Sequence, residues 1–150
     1  MNEMMYADAA CLIINIGSLV LLSVQDIRRK HIGVVPLTIL GILNAVLCIF
    51  MGRDALHILT GLVPGVFALL VALVTKGKMG MGDGLVLLAL GLVYDWDKVL
   101  ALWLVALLLS AVTGIILMIT KKAGLKTAMA FVPYILAGYV FLEVTERVAV

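Results

Sequence analysis

Six apolar stretches, divided by short charged punctuation, constrain this chain more than any other feature. They fall at residues 9–24, 32–51, 55–75, 79–94, 99–120 and 128–142. A helix needs about 20 mainly apolar residues to cross bilayer hydrocarbon, and most of these stretches approach that length. Hydrophobic residues make up 65% of the chain and charged residues 13%, with a mean hydropathy of +1.25. Soluble domains run at about 45–50% apolar and about 25% charged. The contrast excludes a disordered chain, a basic nucleic-acid-binding domain and an ordinary soluble enzyme. The fold class read from the sequence is therefore all-α: a polytopic membrane helix bundle of about six transmembrane helices, forming one unit over residues 1–150.

The start of the chain carries Glu3 and Asp8 but no Lys or Arg. A secretory signal opens with positive charge, so the first apolar stretch is expected to stay in the membrane. Cys11 and Cys48 lie inside apolar runs with no CxxC pair. They read as small buried hydrophobes, and no metal site is expected.

The fourth stretch is the ambiguous one. It has 16 residues between Lys78 and Asp95, includes Asp83, and is weakened at its start by Gly80, Gly82 and Gly84. As helix it would reach roughly 24 Å, which is short for a crossing. Charge placement decides in its favour. If it crosses, eight of the 11 basic residues share one side and three (Arg53, Lys98, Arg147) take the other; if it does not, the split falls to seven against four. Positive residues gather on the cytoplasmic side. Six crossings with both termini outside is therefore the expected topology. On it, seven acids fall outside, and the two left among the cytoplasmic bases are Asp26 and Asp83.

Ionisable residues at membrane depth are costly and tend to serve function. Asp26 and Asp83 are 57 residues apart at the cytoplasmic ends of different spans, and bundle packing can bring such ends together. Two close carboxyls do not both ionise cheaply, so a pair offers an acid and a base at once. Such a pair can activate water against an amide carbonyl and protonate the leaving amine. The bland alternatives are a carboxylate at a helix start for Asp83, and a surface ion pair with Arg29 or Lys30 for Asp26. Glycines at 80, 82 and 84 would shape the site by allowing close approach.

These residues carry a family resemblance. Gly80-Met81-Gly82-Asp83 is a GxGD motif opening an apolar helix, and Asp26-x-Arg28-x-x-x-Ile32 resembles the other half-site of the type IV prepilin peptidases. Pro133-Tyr134-Ile135-Leu136-Ala137-Gly138 is similar to that family's last span. The resemblance covers essentially the whole chain, which looks like the short stand-alone peptidases of tight-adherence (Flp-type) pilus systems. It implies a membrane aspartic endopeptidase that removes the short leader from type IV prepilins or prepilin-like proteins at the cytoplasmic face. By motif, Asp26 and Asp83 would be the catalytic pair. No metal or other cofactor is implied. The partners implied are membrane lipids and a protein substrate whose leader joins a hydrophobic N-terminal helix. Two positions depart from the family pattern: Gly33-Val34 follows Ile32 where many members have Pro-Asn, and Leu85 stands where many have Lys. The CxxC-bearing cytoplasmic region of longer members has no counterpart here, so methylation of the new N-terminus is not expected.

Several other residues have plainer readings. Arg28 and Lys78, beside the proposed site, would tune its electrostatics or touch substrate, although topology and lipid anchoring account for such bases equally well. Gly61-x-x-x-Gly65 is a helix-packing motif with Pro64 inside it. Asn44 should hydrogen-bond a neighbouring helix or face a cavity. Tyr94, Trp96 and Trp103 suit an interfacial belt. Two other functions share the same aspartates: an ion-coupled transporter, which would hold them near the bilayer midplane, and a non-catalytic scaffold of a pilus or secretion apparatus.

Overall fold

A computed structural model describes residues 2–29, 33–75, 80–120 and 130–149. Among these residues there are six helices and no strands: α1 (Asn2–Arg29), α2 (Val34–Phe50), α3 (Ala55–Val74), α4 (Met81–Gly91), α5 (Trp96–Ile119) and α6 (Val132–Ala149). The chain is an all-α bundle. Three helical stretches, Asp8–Arg29, Ala55–Val74 and Trp96–Ile119, are long and apolar enough to cross a membrane. Their outward faces carry large apolar side chains such as Ile13, Leu59, Leu70 and Ile115, as suits lipid rather than water.

Short α4 is the centre of the bundle. It touches α2, α3 and α5, while α1 packs on α2 and α6, and α5 on α3 and α6. Seven of its 11 residues are buried, among them Asp83, Val86, Leu87 and Leu90. Eleven residues span about 16 Å of helix, less than the 16-residue crossing expected from the sequence. The chain leaves the helix at Leu92 and turns to Asp95 before α5 begins. Protein covers most of this segment, leaving Met81 and Leu85 exposed, which is why polar and glycine residues are tolerated on its buried faces.

The seat of α4 is α3. Along α3, Gly61, Pro64, Gly65, Ala68 and Ala72 form one buried small-residue face. A β-carbon on Gly61 would run into the main-chain carbonyls of Gly91 and Tyr94, and one on Gly65 would meet the Leu88 nitrogen at 2.6 Å. One on Gly84 would meet Leu69 Cδ2 at 2.8 Å. The expected GxxxG packing is thus present, with α4 as its partner. Backbones this close gain dispersion contacts along the whole interface.

α1 presents a buried stripe of Cys11, Asn15, Leu19, Leu22, Ser23 and Asp26, at the spacing of one helix face. Its polar members need partners inside the bundle. Asn44 of α2 donates to Asn15 Oδ1 at 3.0 Å and to the Ala89 carbonyl at 3.0 Å, and Asn15 donates to the Cys11 carbonyl at 2.9 Å. Asn44 therefore bonds neighbouring helices, as its position suggested, and ties α1, α2 and α4 together. Both cysteines are buried and free.

Two turn features complete the frame. α2 ends in a Schellman turn: Gly52 takes φ +59°, Gly52 N–H bonds the Ile49 carbonyl at 3.1 Å and Arg53 N–H the Cys48 carbonyl at 3.2 Å. Glycine meets that positive φ without a β-carbon penalty. The turn delivers Arg53 to Asp95 at 2.7 Å, and Lys98 meets Glu143 and Glu146 at 2.7 Å each. Trp103 departs from expectation. It is buried in mid-α5, edge-on to Phe67 with ring centroids 5.8 Å apart, so it is a core residue rather than part of an interfacial belt. Tyr94 is half-buried and bonded to the Tyr139 hydroxyl at 2.6 Å, while Trp96 is exposed.

The α3–α4 contact predicts that Gly61→Ala costs about 1–3 kcal/mol, the usual range for overpacking. Reversible unfolding in mixed micelles would measure it. Gly17→Ala, on an open face where an added β-carbon meets nothing within 4 Å, should be close to neutral.

Candidate active site

Asp26 and Asp83 are the only buried charged side chains among the described residues, at 6% and 8% exposure. A carboxyl kept out of water without a basic partner is costly, so a stable bundle holds two only where the surrounding structure fixes them. Asp26 lies in the last turn of α1, which runs on to Arg29. Asp83 lies in the first turn of α4. Tyr94, just past the end of α4, bonds Cys11 near the start of α1 at 3.3 Å, so the two helices run in opposite directions and Asp26 and Asp83 lie at the same end of the bundle. The structure thus places at one end the two aspartates that charge placement singled out.

Each carboxyl has a local hold. Asp26 Oδ2 accepts the main-chain N–H of Val132, at the start of α6, at 3.1 Å. Asp26 forms no ion pair with Arg29 among the described residues; Arg28 and Arg29 are both exposed at the end of α1. Asp83 folds back over its own helix start. Its N–H bonds the Gly80 carbonyl at 3.1 Å, and a β-carbon on Gly80 would stand 2.7 Å from Asp83 Oδ2. Gly80 has an ordinary backbone conformation, φ −61° and ψ 122°. Glycine here leaves the carboxyl where it lies; a β-carbon would make it shift.

Gly82 is half-buried in the same turn. Gly84 faces α3 instead, so it bears on the site through the seat of α4. Leu85, at the position where the resemblance leads one to expect Lys, is exposed on α4. Lys78 lies outside the described residues, as does Ile32 of the first motif.

Sequence reasoning missed three contributors. Ser23, one turn before Asp26 on the same face, is buried with no hydrogen-bond partner for its Oγ. Its i−3 spacing from Asp26 was a readable signal. Gln25 carries a buried, unpartnered Oε1 that lies against Gly33, where a β-carbon would clash with it. Glycine at 33 thus leaves room for this amide. The third contributor is the Val132 amide, which carries no side-chain signature.

The opposite end of the bundle differs in character. There a cavity of about 610 Å³ is lined by Asp8, Arg53, Asp95, Lys98, Glu143 and Arg147 among others. Its bases are occupied: Arg53 on Asp95, Lys98 on two glutamates and over the Tyr94 ring at 4.5 Å, Arg147 on Glu143 at 4.0 Å. His57 Nδ1 also meets Asp95, at 3.0 Å. These are structural pairs at the far end from the buried carboxyls. Among the described residues there is no cluster of three or more side chains suited to a metal ion.

Two carboxyls are thus buried at the same end of the bundle, on two different helices, and carboxyls so placed are the groups that acid–base chemistry uses. Comparison with known proteins gives this arrangement a context. No curated protein and no solved structure matches the chain. The model of the type IV leader peptidase family matches residues 13–119, a stretch that contains both aspartates and the GxGD turn. The chain is a membrane protein of the type IV leader peptidase family.

Proposed function

We propose that this peptidase is an aspartic endopeptidase of the GxGD type, with Asp26 and Asp83 as its catalytic pair. The observation that carries the reading is a coincidence of two independent selections. Charge placement along the chain leaves two acids among the cytoplasmic bases, and burial leaves the same two charged residues inside the bundle. In the reaction, one carboxylate takes a proton from water as it attacks the scissile carbonyl. The other, protonated, donates to the carbonyl oxygen, and the proton then passes to the leaving amine. The mechanism asks for two carboxyls and water alone.

The substrate in this reading is a type IV prepilin or prepilin-like protein, cut between its leader and its hydrophobic N-terminal helix. In this reading the chain passes the membrane six times, with short α4 carried inside the bundle, the termini outside and the carboxyls at the cytoplasmic face, where the leader is reached. The bases assigned outside, Arg53, Lys98 and Arg147, share the far end with Asp8, Asp95 and Glu143, and their ion pairs offset the positive charge there. A transporter reading fits less well, because both carboxyls sit at one end of the bundle rather than at mid-depth.

Co-expression with a panel of prepilin-like proteins, with leader removal read by intact mass, tests the reading. Asp26→Asn and Asp83→Asn should each lower cleavage by about a thousand-fold or more, the scale set by losing a central catalytic group, with normal membrane insertion. Full processing by either variant would exclude the assignment. Gly80→Ala should lower kcat about 10- to 100-fold, the usual cost of small displacements of a reacting group; an unchanged kcat would show that Asp83 does not need this space. Sidedness has its own check in a cysteine-free background. Asp97→Cys should react with an impermeant maleimide in intact cells, and Arg28→Cys only after permeabilisation. The reverse pattern would invert the topology.

A further inference from the structure

The hydrogen bond to Asp26 joins residues 106 apart in the chain and comes from a helix outside the stretch matched to the family, which ends at residue 119. The first turn of α6 explains why a main-chain group is available there. A helix start leaves its first N–H groups without partners inside the helix. In α6 the Phe131 carbonyl takes the N–H groups of Tyr134 at 2.9 Å and Ile135 at 3.3 Å. Pro133 has no N–H to offer. Only the Val132 N–H remains, and Asp26 Oδ2 takes it.

The donor is rigidly placed. Val132 and Ile135 are fully buried, and Tyr139 is bonded to Tyr94. Proline is also well suited to the first turn of a helix, where its fixed φ pre-sets the direction. A carboxyl in the last turn of α1 is thereby tied to a helix packed along both α1 and α5.

We propose that Val132 is a positioning residue of the peptidase: its main-chain N–H holds Oδ2 of Asp26 and leaves Oδ1 as the oxygen that acts on water or substrate. This rests on the reading of Asp26 as catalytic. It makes α6 a wall of the site, although the family match stops before that helix. The positive end of the helix and the charge-assisted hydrogen bond act in the same direction, both orienting the carboxylate.

Two variants separate the amide from the side chain. Val132→Ala keeps the N–H; Val132→Pro removes it at a helix position where proline is tolerated. On a substrate processed by the wild-type chain, Val132→Pro should lower kcat about 10- to 100-fold with KM unchanged, and Val132→Ala should restore kcat to near wild type. If proline prevents insertion, replacing residue 132 by its α-hydroxy acid removes the N–H while keeping the side chain, and the same kcat loss is expected. A readout independent of activity is amide exchange at Val132 in micelles: Asp26→Ala should speed it at least tenfold and Asp83→Ala should leave it within about twofold. Unchanged exchange in Asp26→Ala, a wild-type kcat without the N–H, a KM effect alone, or an equal kcat loss in Val132→Ala would each overturn the positioning role. An inactive Asp26→Asn beside a fully active Val132→Pro would overturn this inference and leave the catalytic pair standing. An active Asp26→Asn would remove the catalytic reading itself, whatever Val132 does.

Discussion

The close backbone contact between α3 and α4 is the constraint on which the rest of the bundle depends. α4 is too short to cross hydrocarbon by itself and opens on three glycines within five residues. Helix propensity alone would not sustain it. It persists because Gly61 and Gly65 let it lie almost backbone to backbone on α3, and because α2 and α5 close over its other faces. That enclosure has two effects. It supplies the packing that a short helix lacks, and it removes the Asp83 end of the helix from lipid. A carboxyl at this depth is tolerable because protein surrounds it.

Polar groups inside the bundle fall into two kinds. Most are paired with one another and act as fixed links. Asn44 reaches both Asn15 and the Ala89 carbonyl, and Tyr94 reaches Tyr139. At the far end, Lys98 is shared by two glutamates and a tyrosine ring. Unpaired buried polar groups are costly, so those that remain are informative. Two of them, Ser23 Oγ and Gln25 Oε1, lie within one turn of Asp26. The end of α1 thus holds polar capacity that the fold does not consume, whereas the far end has its bases engaged.

Much of this was legible in the chain. Continuous apolar runs give the number of helices, because lipid leaves few alternatives for the backbone. The GxxxG spacing gave the packing face of α3, and charge placement picked out both aspartates. Other parts were hidden for definite reasons. The end of α4 at Gly91 depends on a turn through apolar Leu92 and Val93, which hydropathy cannot distinguish from more helix. α1 continues to Arg29, because a span's hydrophobic limit is not its helical limit. Trp103 misleads because aromatic placement rules describe belts, while this indole is buried in mid-α5 beneath Phe67. The Val132 contact is the deepest omission. Every residue but proline carries an N–H, so only the fold shows which one is used.

The span of 106 residues between Asp26 and its main-chain partner bears on how the protein is made. Helices enter the membrane in the order of synthesis, and α6 is the last of the six. A nascent chain that has threaded its first five helices already holds both carboxyls and the glycines between them, yet Asp26 has no α6 amide to grip. That hydrogen bond waits for α6 to dock. The grip on Asp26 is thus a late event in assembly, made only once α6 lies against α1.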